Sequence, residues 1–200
     1  MNVLVTCGPT WVAIDGVRVI SNASSGEMGH LIAQEFLRFG AKVTLVEGPV
    51  THAWSNPRVK VIKYRFFDEL AKVLKAQLRH KYDVIVHAAA VSDFKVAGAS
   101  QAKIASGKPL TLRLVPTPKL IQMVKRLCPQ ALLVGFKLEA SLRASFKETK
   151  ELFVKAGCDV VVANTFGKNY QAAILNADGE ILSKANSKKQ LARNLVSIVL

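Results

Sequence analysis

Apolar and polar residues along this chain switch repeatedly between a two-residue and a helical period. Residues Asn2–Cys7 (NVLVTC) form a short apolar run that predicts a strand. After a long loop, residues 25–39 carry Ile32, Ala33, Phe36 and Leu37 at helical spacing, and Gly40 stops them. Residues 42–46 predict a second strand and Val59–Lys63 a weaker third. Residues 67–80 predict an amphipathic helix with Leu70, Val73, Leu74 and Leu78 on one face. Residues 83–89 (DVIVHAA) are apolar enough for burial on both faces, as in a parallel sheet.

The second half continues the alternation. Residues 95–108 read as a Gly, Ala, Ser and Lys loop, and 110–115 (LTLRLV) as a half-exposed strand. Thr117-Pro118 is expected to open a helix to Leu127, with proline early, where its missing N–H costs little. A strand over 132–136 is followed by a helix over 139–156, carrying the pairs Lys147/Glu151 and Glu151/Lys155 and capped by Gly157. Residues 160–163 predict a buried strand. Ala172–Asn176 and 180–183 flank Asp178-Gly179, a strong hairpin signal, and 187–199 close the chain as a helix. This order predicts an α/β fold: a doubly wound, Rossmann-like, mostly parallel sheet with helices on both faces and a C-terminal β-hairpin. Ligands of such sheets bind beyond the carboxyl ends of the strands, so the loops after Cys7, Ala89 and Phe136 are the ones to inspect.

Composition narrows the function. The chain has 200 residues and 50% apolar content, enough for one domain spanning 1–200 with a real core. Its apolar runs are too short to cross a membrane, and no leader pattern opens it, so a cytoplasmic protein is expected. Three cysteines, Cys7, Cys128 and Cys158, have neither disulfide nor zinc spacing and suit burial in a reducing compartment. His30, His52, His80 and His87 are scattered and give no metal-ligand spacing.

Lys and Arg number 28 against 14 Asp and Glu, a formal charge of +14 that calls for an anionic partner. Between Asp93 and Glu139 there is no acid, while Lys95, Lys103, Lys108, Arg113, Lys119, Lys125, Arg126 and Lys137 lie inside. Lysines on a flexible loop after a buried strand can fold over a polyphosphate. The basic segment 58–81 is interrupted by Asp68 and Glu69 and reads as a solvated helix face. Aromatics do not interleave with the basic residues, which disfavours nucleic acid.

The first loop holds a divided glycine signature. A dinucleotide fingerprint places G-x-G-x-x-G directly between strand and helix. Here Gly8 stands far from Gly26-x-x-Gly29, and only the latter keeps the spacing for a helix start near a phosphate, with Ser24 and Ser25 as cap candidates. Glu47 could mimic a ribose-binding acid. However, Tyr64, Tyr82 and Tyr170 are followed four residues later by Asp68, Val86 and Ile174, so no Tyr-x-x-x-Lys pair exists and a short-chain dehydrogenase is disfavoured.

Ile20-Ser21-Asn22-Ala23-Ser24-Ser25-Gly26-Glu27-Met28-Gly29, Ala88-Ala89-Ala90-Val91-Ser92-Asp93-Phe94 and Lys103-Ile104 together carry a family resemblance. Preceded by Thr6-Cys7-Gly8-Pro9-Thr10 and Ile14-Asp15, they resemble phosphopantothenoylcysteine synthetase, or phosphopantothenate–cysteine ligase, over essentially the whole chain. The resemblance implies an enzyme of coenzyme A biosynthesis acting with Mg²⁺. In that family 4′-phosphopantothenate attacks the α-phosphate of a nucleoside triphosphate, usually CTP. L-cysteine then attacks the acyl-nucleotidylate through its amine. The family's fused flavin-dependent decarboxylase domain has no counterpart here, so no flavin is expected, and a homodimer is implied.

By the same resemblance, Asn22 is implied to hold the substrate carbonyl and the acyl intermediate. Ala89 and Ala90 are implied to offer backbone groups, and Lys103 to sit on a loop that covers the triphosphate. Implied nucleotide contacts are Gly8, Ser24, Ser25, Gly26, Met28, Gly29, Ala88, Asp93, Pro118, Lys119, Leu120, Ile121, Phe136, Lys150 and Lys155. His87 reads as structural. The sequence departs from the family pattern at Glu27 and Lys119, where lysine and aspartate are usual, and at Ala105-Ser106 in the lysine loop. The choice between CTP and ATP therefore stays open, as does a divergent nucleotide-binding paralogue without ligase turnover or with another carboxylate substrate.

Overall fold

A computed structural model of the chain describes residues 1–51, 56–167 and 169–200, with the side chains of Ser145 and Lys147 also outside the description. The histidine at position 52 and the Lys147/Glu151 pair thus lie outside the described residues.

Six parallel strands form the body of the sheet: β1 (Asn2–Cys7), β4 (Lys42–Glu47), β5 (Val59–Lys63), β6 (Val84–His87), β9 (Leu132–Glu139) and β10 (Val160–Thr165). They lie in the spatial order β5-β4-β1-β6-β9-β10. Counted along the chain among themselves this is 3-2-1-4-5-6, the Rossmann order, with its switch point between β1 and β6. Beyond β10 the sheet continues antiparallel through β11 (Ala172–Asn176) and β12 (Ile181–Ala185). The Asp178-Gly179 turn joins them, with Gly179 in the left-handed region at φ 82°.

Consecutive strand residues feed two cores. Val3, Val5 and Cys7 pack on one face with α1 (Glu27–Arg38) and α5 (Lys188–Val199), through Ile32, Phe36, Leu191 and Leu195. Leu4, Ile85 and Leu133 pack on the other with α2 (Phe67–Gln77), α3 (Leu120–Leu127) and α4 (Leu142–Ala156). Both faces are covered, which is why these strands read as nearly continuous apolar runs.

Several boundaries differ from expectation for local reasons. Glu139 remains in β9, opposite Thr165, and α4 starts only after Ser141, whose Oγ accepts from Ala144 N at 3.3 Å. Pro118 lies outside α3 because Lys119 is still extended and serves as its N-cap. Gly26, left-handed at φ 75°, is the N-cap of α1 with no side-chain cap bond, so neither Ser24 nor Ser25 fills that role. Of 110–115 only its end is strand: β8 (Leu114–Pro116) pairs with β7 (Phe94–Val96), which overlaps the start of the expected 95–108 loop. A second small hairpin, β2 (Trp11–Ala13) with β3 (Val19–Ser21), was also missed.

That hairpin explains the divided glycine signature. Gly8, at φ 77°, makes the tight turn after β1, and Gly29 lets α1 approach the sheet. A Cβ on Gly29 would stand 2.3 Å from Cys7 Cβ. These are two of the jobs done by the glycines of a Rossmann fingerprint. Here β2–β3 is inserted between them.

Candidate functional site

A cleft of about 1060 Å³ opens at the carboxyl ends of β6, β9 and β10, beside the switch point. Its wall takes in the segment 22–29 leading into α1, residues 87–91 after β6, the start of α3, the end of β9, the inner face of α4 and the first residue of α5. Of the expected site residues, Asn22, Ser24, Ser25, Gly26, Met28, Gly29, Ala88, Ala89, Ala90, Asp93, Pro118, Lys119, Leu120, Ile121, Phe136 and Lys155 all line it. Gly8, Lys103 and Lys150 do not.

The chain's own hydrogen bonds fix the cleft floor. Thr6 Oγ1 accepts from Ala89 N at 3.2 Å and pairs with His87 Nδ1 at 3.0 Å. Ala90 N donates to Gly8 O at 2.9 Å. The N–H groups of Ala89 and Ala90 are therefore engaged inside the fold and are not free to bind a nucleotide. Tyr64 OH donates to the carbonyls of Cys7 and Gly8, at 2.9 and 3.0 Å, and pins the end of β1 from below. Burial lowers His87 from the usual histidine value to about 4, so a neutral imidazole lines the floor at neutral pH. Asn22 Nδ2 donates to Ala90 O at 3.1 Å, tying the β3–α1 segment to the loop after β6.

The loop carrying Lys103 is anchored rather than loose. Asp15, buried at 4% exposure, accepts from Val17 N and Arg18 N and holds the Arg18 guanidinium. The same carboxylate accepts from Ile104 N at 3.0 Å, while Arg18 donates to Ile104 O at 2.6 Å. These bonds, led by the Arg18 guanidinium, hold the Asp15 carboxyl well below the usual carboxylate range. Lys103 itself is exposed, next to this anchor.

The charge on the wall overturns the simple picture of a basic cleft. Among the described lining residues there are four lysines and four carboxylates. Lys119 pairs with Asp93 at 2.6 Å, Lys155 with Glu151 at 2.7 Å, Lys188 with Glu27 at 2.6 Å and Lys137 with Glu148 at 3.7 Å. The cationic excess thus lies outside the wall, including the 95–113 loop and Lys42, Arg58, Lys60 and Lys81 at the opposite end of the sheet. Sequence reasoning did not single out Glu148, Glu151, Tyr170 or Lys188 as lining residues, because none belongs to a motif.

Among the described residues, one group could gather three ligands on a transition metal: Cys7, His30 and Glu47. Glu47 is fully buried, 2.5 Å from His30 Nε2 and in contact with the Lys63 ammonium. Lys63 supplies the counter-charge a metal would bring, and Glu47 is too deeply enclosed to receive a ribose. For a hard cation the cleft offers Glu27, Asp93, Glu148 and Glu151. That donor set fits Mg²⁺, which takes one or two carboxylates together with substrate phosphates.

The chain spans under half to about half the length of the curated relatives it matches. It is 43% identical over 181 residues to the coenzyme A biosynthesis bifunctional protein CoaBC of Thermococcus kodakarensis, covering 86% of this chain and 44% of that protein. The CoaBC protein of Methanocaldococcus jannaschii is 30% identical over 205 residues, 98% of this chain and 50% of the relative. Among solved structures, the DNA/pantothenate metabolism flavoprotein of Streptococcus pneumoniae superposes with a TM-score of 0.86 at 24% identity, covering 100% of this chain and 98% of that one. The DNA/pantothenate metabolism flavoprotein C-terminal domain family matches residues 1–200 in full, and this chain belongs to that family.

Proposed function

We propose that residues 1–200 form a phosphopantothenate–cysteine ligase domain of coenzyme A biosynthesis. It uses a nucleoside triphosphate, CTP in preference to ATP, and passes through an acyl-nucleotidylate. The observation that carries this reading is the convergence of Asn22, the Ala88–Ala90 floor and the 24–29 segment on one cleft at the sheet's switch point. Relatives named as coenzyme A biosynthesis proteins support it. So does a fold neighbour described as a Cab2 mutant in complex with phosphopantothenate-cysteine.

In the first step the pantothenate carboxylate oxygen attacks the α-phosphorus and pyrophosphate leaves. In the second, the cysteine amine nitrogen attacks the activated carbonyl, loses a proton and expels the nucleoside monophosphate. Asn22, held at Ala90 O, orients the carbonyl. Ala88 to Ala90 leave room for the flat nucleotide, and Asp93 with Lys119 meets its sugar or base. Phe136, with Pro118, Leu120 and Ile121, backs the base. Lys103 folds over the triphosphate from its anchor on Asp15 and neutralises charge as pyrophosphate departs. Gly8 shapes the turn beneath, while Lys155 approaches the phosphates from α4 and Lys150, which does not line the cleft, takes no part. Bound Mg²⁺ would neutralise phosphate charge, and the carboxylates among the lining residues, Asp93 included, are the groups that would hold it. The reaction needs no flavin.

Exposed Val17, Val19, Ile20, Phe94, Leu110 and Leu114 gather on and beside the two small hairpins, which pack against each other. Such a patch supports a homodimer joined there. No helix among the described residues is long and apolar enough to cross a membrane; a cytoplasmic location is proposed from the phosphorylated substrates alone.

The test is incubation with 4′-phosphopantothenate, L-cysteine, Mg²⁺ and each nucleoside triphosphate in turn. Release of pyrophosphate and nucleoside monophosphate with formation of the amide is expected, fastest with CTP. A charge-balanced cleft wall favours one second reading, a nucleotide-binding paralogue without turnover. Calorimetric nucleotide binding with no pyrophosphate released would select it.

A further inference from the structure

We propose that Lys188 is a phosphate-recognising cation of the cleft and that Glu27 is the internal anion with which the ligand must compete for it. Both side chains line the cleft and touch at 2.6 Å, although 161 residues separate them in sequence. Their positions are fixed by rigid parts of the fold. Glu27 is the first residue of α1, Lys188 the first of α5, and these helices pack in one core through Ile32, Phe36, Leu191 and Leu195.

The placement of Lys188 is not explained by α5. The first turn of that helix carries Lys188 and Lys189 and no acid, where a cation opposes the helix dipole. What holds the ammonium is Glu27. The pair is also open to solvent, at 40% side-chain exposure for the lysine and 55% for the carboxylate. Exposed pairs of this kind are weakly held and easily exchanged. A doubly charged phosphate offers Lys188 a stronger partner than a single carboxylate, and charge-assisted bonds to phosphate are short and directional.

Glu27 then acts in two ways against an incoming anion. It occupies the lysine, and it places a negative charge at the wall where the phosphate would arrive. This carboxylate therefore sets how tightly the cleft holds phosphate, without contacting the ligand. The inference rests on the ligase reading only for which phosphorylated molecule arrives, a nucleoside triphosphate or 4′-phosphopantothenate.

The experiment exploits a sign. If the pair is a structural strut, removing either member breaks the same bond, and both variants shift binding in the same direction. If Lys188 recognises phosphate and Glu27 sequesters it, the two shifts are opposite. Dissociation constants for CTP, ATP and 4′-phosphopantothenate are measured by calorimetry on the full chain, for the wild type, Lys188→Gln, Glu27→Gln and the double variant. Lys188→Gln is expected to weaken one phosphorylated ligand about tenfold, and Glu27→Gln to tighten it several-fold, the scale of one charge-assisted hydrogen bond gained or lost. The double variant should resemble Lys188→Gln. Whichever ligand responds identifies the phosphate.

Same-direction shifts, or none, would overturn the proposal. Pyrophosphate release by the wild type is scored separately. Opposite shifts without pyrophosphate release keep this site and remove the ligase reading. Pyrophosphate release with same-direction shifts does the reverse.

Discussion

Asp15 and Ile104, 89 residues apart in sequence, are joined by a 3.0 Å hydrogen bond from the Ile104 amide to Asp15 Oδ2. Arg18 closes the same joint by binding both the Asp15 carboxylate and the Ile104 carbonyl. The residue before this joint is Lys103, so the turn between β2 and β3 determines where the lysine loop is rooted.

Asp15→Ala should therefore act on the loop and not on the cleft. The expected result is a fall in kcat of about tenfold with little change in nucleotide affinity, as for loss of a lid anchor. Limited proteolysis should show faster cutting between residues 97 and 113. An unchanged cleavage pattern would separate Asp15 from loop order.

Lys103→Ala removes the charge itself while leaving the anchor in place. Pyrophosphate release in the first half-reaction should slow by about a hundredfold, the scale of losing one preorganised charge from a transition state. Reaction of preformed acyl-nucleotidylate with cysteine should be affected much less. Rapid-quench measurement of the two steps reads the difference.

His87 makes a stability prediction. Its folded value, about 4, lies below the usual 6.5 because burial penalises the charged ring. The unfolded chain binds the extra proton between those values, so the stability that goes with the neutral ring is complete above pH 6.5 and is lost as pH falls toward 4. The loss amounts to at most about 3.5 kcal/mol, at roughly 1.4 kcal/mol per tenfold in proton affinity. Urea unfolding across this range should show a slope that largely disappears in His87→Gln, which keeps a polar partner for Thr6.

Gly29→Ala tests the close approach of α1 to the sheet. The new Cβ would meet Cys7 Cβ at 2.3 Å, and neither a helix backbone nor a central strand can yield cheaply. A loss of about 2–3 kcal/mol in chemical denaturation is expected, the scale of core overpacking. Nucleotide binding should weaken too, because the segment 24–29 must move with the helix.

The parts of this architecture that were legible in sequence are those where burial writes a pattern. Val3 to Cys7, Val84 to Val86 and Val160 to Val162 are covered on both faces, and their unbroken apolar runs announced a parallel sheet. The hairpins left no such trace. Val19 to Ser21 is exposed throughout, and Phe94 to Val96 is nearly so, leaving no alternation between buried and open positions. The motif residues located most of the cleft, but not its charge. Lys119 and Asp93 are 26 residues apart and Lys188 and Glu27 are 161, so a count of lysines along the chain missed the acids that fold against them.

The sheltering of the three thiols has a consequence for a protein proposed to handle free cysteine. Burial pushes Cys7 and Cys158 up to about 12, and Cys128, raised the same way, donates to Leu78 O at 3.3 Å. Disulfide exchange proceeds through the thiolate and needs access to it. Neither condition is met at Cys7 or Cys158 at neutral pH. Cystine, the oxidised form that accompanies any pool of cysteine, thus finds no easy point of attachment at Cys7 or Cys158, and half-buried Cys128 is the more accessible of the three thiols.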